Sequence, residues 1–122
     1  MSTFIELRDQ AEQEIRAHLR SSSPDAAHHF VMDSTNSFVE HGAILLAALK
    51  LWAVPRHETD ADLLALIDSA SARTLVNIAR ELAESRDPDE LHASVQLEGI
   101  AYEPRRQLND TLDFARMGLQ SS

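Results

Sequence analysis

His18, His28, His29, His41, His57 and His92 are the side chains of this chain best suited to moving a proton or ligating a metal near neutral pH. A metal site asks for several ligands at fixed helical or loop spacing. The H-E-x-x-H signature does not occur, and no set of carboxylate–histidine pairs at helical spacing stands out as a metal site. His28, His29, Asp33, Glu40 and His41 would converge only if residues 24–32 folded back on the helix that follows, so the expectation is scattered imidazoles and no metal. The chain has no cysteine, which removes disulfides, thiolate zinc sites, iron–sulfur clusters and a thiol nucleophile. Its three glycines, Gly42, Gly99 and Gly118, cannot form a G-x-G-x-x-G turn or a phosphate loop. No serine sits in a G-x-S-x-G elbow. No cofactor is expected.

Arg86 and His92 are the one pair whose types and spacing suggest catalysis. Their R-x5-H spacing resembles the R-x4-6-H signature of the HEPN family of small helical ribonucleases. That resemblance implies a histidine handling the proton and an arginine stabilising the phosphorane charge. Pro88 starts a new helix between the two residues, and the acids around them (Glu81, Glu84, Asp87, Asp89, Glu90) repel phosphate. A second acid run, Glu58, Asp60 and Asp62, joins the first in raising an alternative, an acidic mimic of a nucleic-acid backbone. The simpler reading is a solvated face plus helix starts, where negative charge is favoured. Arg105-Arg106 is a lone basic doublet at a helix start that could grip a partner carboxylate. The formal charge of −9 opposes direct binding to nucleic acid or to anionic membranes. No secretory signal stands at the N-terminus, and with the lack of cysteine this points to the cytoplasm.

The 122 residues, 43% hydrophobic and 25% charged, are enough for one globular core and too few for two, so 1–122 reads as a single helical domain. Thr3 and Glu6 have capping-box spacing, and Phe4, Leu7, Ala11, Ile15 and Leu19 recur on one face, which predicts a helix over about 3–20. Ser23-Pro24-Asp25 starts another turn, with a short helix through His28 and His29. Caps between Asp33 and Ser37 precede a second major helix, ended by Pro55. Thr59 opens a helix over about 60–84, carried by Leu64, Ile67, Leu75, Ile78 and Leu82 on one stripe with Ser71 between. Asp87-Pro88-Asp89-Glu90 predicts a helix over 88–97 closed by Gly99. Leu91, Ala93, Val95 and Leu97 nevertheless alternate with period two and leave a small β-hairpin over 88–102 open. A last helix follows Pro104 and stops near Gly118.

From Ala43 to Val54 eleven of twelve residues are apolar, Lys50 being the exception, able to reach water along its stem. Twelve residues rise about 18 Å, short of a roughly 30 Å hydrocarbon layer, so a buried helix is expected and not a membrane span. The short connection 55–59 predicts that about 35–54 and 60–84 pack as a central antiparallel hairpin. The expected fold class is therefore all-α, a compact bundle of four to five helices around that hairpin. A chain this short buries only about two-thirds of its unfolded surface. A helix apolar all round and bearing the only tryptophan is then the natural seam for a homodimer or a protein partner. Leu45, Leu49 and Trp52 would line it, with Ile44, Ala48 and Leu51 on the flank.

The pairing HGAILLAALKLWAV (41–54) with DLLALIDSASARTLVNIARELAES (62–85) resembles the helical hairpin of the small all-helical pseudomonad antiactivators. Members of that family bind a LuxR-type quorum-sensing receptor and prevent its dimerisation. The resemblance covers about a third of the chain. It implies a non-enzymatic regulator that inhibits a transcription factor by occupying its dimer surface.

Overall fold

The computed structural model describes residues 3–22 and 33–120. Six α-helices stand in these stretches: α1 (Phe4–Ser22), α2 (Asp33–Ala53), α3 (Asp60–Ser69), α4 (Ala72–Ala83), α5 (Pro88–Ala101) and α6 (Arg105–Gln120). A 3-10 turn, Val54–Arg56, continues α2. No described residue is in a strand, so the all-α expectation holds with more helices than the four to five anticipated. The short helix expected over 24–32 lies outside the described residues.

The central element is α2. Its 21 residues span about 31 Å, and residues 36–56 have the length and composition to cross a membrane, which corrects the twelve-residue estimate. Val39, Ala43, Leu45, Leu46, Ala47, Ala48 and Leu49 are all fully buried, as in the core helix of a soluble protein. It packs along α1, α6 and α5. The close approach of α6 depends on two glycines. A Cβ on Gly42 would lie 2.8 Å from the Phe114 Cβ and 3.1 Å from the Ala115 nitrogen. One on Gly118 would lie 2.6 Å from Leu46 Cδ2 and 3.1 Å from Ile15 Cγ1. Gly118 is thus a packing residue within α6 and not the stop expected of it; the helix runs on to Gln120. Phe38 and Phe114 stack beside this crossing with ring centroids 5.9 Å apart.

The expected 60–84 helix is two helices. Ala70 is extended (ψ 139°), and Ser71 (φ −120°, ψ 171°) opens α4 with a capping box in which the Thr74 N–H donates to Ser71 Oγ and the Ser71 N–H to Thr74 Oγ1. A residue that reads as a polar gap in one stripe is the N-cap of a new helix. The break also removes the expected hairpin, since α3 and α4 each touch α2 only lightly. The extended helix pairing that follows α2 is instead α4 with α5, joined by the short connection 84–87 and pinned by the Ser94 hydroxyl, which donates to the Ala79 carbonyl at 2.8 Å.

Residues 88–101 are helical throughout, so the β-hairpin alternative and the stop at Gly99 are both corrected. Asp87 caps α5, accepting from the Asp89 N–H at 3.3 Å, with Pro88 in the first turn. Residues two apart on a helix are about 200° apart, almost on opposite faces. The period-two run therefore divides: Ala93 and Leu97 go into the core, Leu91 and Val95 to the outside.

Candidate functional site

Of the six residues expected to line a partner seam, three do not reach the surface. Leu45, Ala48 and Leu49 are fully buried against neighbouring helices and form the core, because α2 is enclosed by α1, α5 and α6. Ile44, Leu51 and Trp52 are partly buried and sit at its margin. Ile44 lines a shallow depression of about 280 Å³ with Arg8, Glu12 and Glu40, slightly smaller than the usual small-molecule site and walled mostly by charged side chains. Lys50 does not simply reach for water. Its ammonium lies 3.7 Å from Glu14 on α1.

At the C-terminal end of α2 the side chains form a cross-braced surface cluster. The Trp52 indole N–H donates to Glu81 Oε2 at 2.6 Å. The Arg56 guanidinium lies over the indole, 4.9 Å from its centroid, within cation–π range. Arg56 also donates to the Trp52 carbonyl at 2.9 Å and lies 3.7 Å from Glu81. Val54, on the same turn, is 67% exposed. The backbone that aims Arg56 ends in His57 at φ 57°, a left-handed conformation uncommon for a side-chain-bearing residue. The arrangement offers a flat aromatic face, a cation and an apolar neighbour held in one geometry before anything binds. Sequence reasoning found Trp52 but missed Arg56 and Glu81; the i, i+4 spacing of Trp52 and Arg56 was a readable signal, whereas Glu81 arrives only through the tertiary fold.

The catalytic candidates stand on different elements. Arg86 is exposed in the connection before α5. His92 stands on α5 with its ring edge-to-face against Phe4, centroids 5.2 Å apart. Among the histidines, His41 pairs with Glu103 at 3.0 Å and His57 forms the turn, while His28 and His29 lie outside the described residues. Among the described residues no group of three or more potential ligands could hold a metal ion.

Several of the acids have structural roles. Asp62 completes the Thr59 capping box of α3, and Asp87 caps α5. Asp89 accepts from the Phe4 N–H at 2.6 Å, and Glu81 braces Trp52. Hydrogen bonds from the Thr59 backbone and side chain hold the Asp62 carboxyl below its ordinary pKa of 3.8. Comparison with family models, with curated proteins and with solved structures finds no match to this chain.

Proposed function

We propose that this chain is a non-enzymatic regulator that binds another protein through the surface around Trp52 and inhibits it. The observation that carries the reading is the Trp52–Arg56–Glu81 cluster. Tryptophan and arginine dominate binding hot spots, and here both are oriented in advance, which lowers the entropy lost on docking. Half-buried Leu51 and exposed Val54 extend the patch with apolar surface. The pattern resemblance of residues 41–54 and 62–85 to the antiactivators suggests the partner: a LuxR-type transcription factor whose dimerisation is blocked by competition for its own contact surface.

The test uses the purified chain with a LuxR-type receptor encoded in the same genome, reading direct binding and receptor-driven transcription. Both binding and loss of transcription are expected. Trp52→Ala and Arg56→Ala should each weaken binding by about 2 kcal/mol, some thirtyfold in Kd. Arg56 is exposed, so its variant keeps the fold and isolates the contact. Unchanged binding in both variants overturns the assignment to this surface. RNA cleavage that disappears in His92→Ala overturns the non-enzymatic reading.

A further inference from the structure

We infer that α3 is a hinged flap, latched onto α6 by the Asp68–Arg116 ion pair and able to lift from the bundle as an intact helix. The assignment of the Trp52 surface plays no part in this. Both connections of α3 depart from helical geometry. Before it, His57 is left-handed at φ 57°, a conformation that strains a residue bearing a Cβ and that recurs at switch regions. After it, Ala70 and Ser71 are extended, at ψ 139° and ψ 171°. Such joints can absorb a rotation of the segment between them while its own dihedrals stay helical.

The hydrogen bonds that keep α3 helical are its own. Thr59 and Asp62 close the capping box at one end, at 2.9 and 3.2 Å. At the other, the Ser69 hydroxyl donates to the Ala65 and Leu66 carbonyls, and the Ala70 N–H donates to the Ile67 carbonyl. What holds the helix down is slight by comparison. It touches α6 and, lightly, α2, and it buries Leu63 and Ile67 almost completely but Leu64 and Leu66 only in part. Among the described residues its one ion pair to another helix is Asp68 with Arg116, at 2.8 Å.

The surroundings of Arg116 suit it to releasing that contact. Its guanidinium also lies 3.0 Å from Asp113, three residues back on α6, so it keeps an acceptor when Asp68 departs. Asp68 is already 63% exposed and regains water readily. In the closed position the Arg116 Nε is buried with no acceptor among the described residues, a cost that water admitted by the lifting helix removes. Opening therefore strands no charge, and its main opposition is the return of Leu63 and Ile67 to water. The rest of the core need not unfold.

The natural chain has no cysteine, so opening can be followed by labelling an introduced thiol with a water-soluble disulfide reagent. Leu63→Cys reports the face that α3 buries, and Leu97→Cys, fully buried on α5, reports unfolding of the core. The thiol at position 63 should label at least about tenfold faster than the one at position 97. Amides of residues 64–69 should be better protected from exchange than that thiol is from labelling, because the helix lifts without unwinding. Asp68→Asn and Arg116→Gln, each made in the Leu63→Cys chain, should speed labelling about two- to fivefold. Asp113→Asn removes only the acceptor that Arg116 falls back on and should not speed it. Ile67→Cys repeats the measurement if Leu63→Cys fails to fold. Labelling no faster at position 63 than at position 97 overturns the inference, as does labelling indifferent to both latch variants. Amide exchange as ready as thiol labelling overturns the intact flap and leaves a helix that merely unwinds.

Discussion

At the scale of single residues, the fold is specified where a side chain or its absence has one geometric use. Gly42 and Gly118 both admit a neighbouring helix, but what they face differs. Gly42 meets a rigid Cβ and backbone atoms, whereas Gly118 meets chiefly the mobile end of Leu46. Gly42→Ala should therefore cost about 1–3 kcal/mol by overpacking. Gly118→Ala should cost less, because Leu46 can turn aside and alanine recovers up to about 1 kcal/mol of helix propensity. Urea denaturation of the two variants measures the difference, and the reverse order would contradict the packing of α2 on α6. Asp62 gives a residue-scale pH signature. Its carboxyl is held below the ordinary value by Thr59, so the folded state favours the ionised form. The resulting stabilisation is complete above the ordinary carboxylate range and disappears as pH falls through the lowered folded value. The stability gap between the natural chain and Asp62→Asn should hold steady between about pH 5 and pH 7 and shrink below about pH 4. A gap independent of pH would show that charge has no part in this cap.

At the scale of elements, helix starts were legible because they depend on local side-chain chemistry. The Thr3, Thr59 and Asp87 caps all open helices, from α1 to α5. What local pattern left open was which of two equally apolar faces a helix would bury. The whole circumference of α2 is greasy, so its period could not tell Leu49, fully buried, from Trp52 at the margin; only the placement of α1, α5 and α6 decides that. In α5 the opposite confusion arose, where two apolar faces on one helix mimic the alternation of a strand. Ser71 was misread because a single polar residue within an apolar stripe is compatible with one helix or with two, and the S-x-x-T spacing that distinguishes them was present in Ser71 and Thr74. Removing that cap with Ser71→Ala should cost about 1 kcal/mol. Amide exchange should accelerate in the first turn of α4, while the middle of α2 stays protected. Uniform acceleration across both helices would mean that the break at Ala70 is not an independent feature.

At the scale of the whole molecule, the buried residues of all six helices belong to one hydrophobic cluster, from Phe4 on α1 to Leu119 on α6. Against it stand nine net negative charges, whose mutual repulsion favours expansion. A chain of this size holds a margin of only about 5–15 kcal/mol, so the core must unfold as a unit if no subset of helices carries a separate one. Leu49 lies fully buried on the helix that touches most of the others, and its truncation to alanine should remove about 2–5 kcal/mol. Two probes report from different parts of the molecule: far-ultraviolet circular dichroism sums every helix, and the single tryptophan, Trp52, reports the far end of α2. With a shared core their urea transitions must coincide in the natural chain and shift together in Leu49→Ala. If Trp52 fluorescence moved while the bulk of the helical signal stayed in place, α2 and its surroundings would be separable from α3–α5, and the Trp52 surface would rest on a locally unfolding unit rather than on the rigid end of a common core.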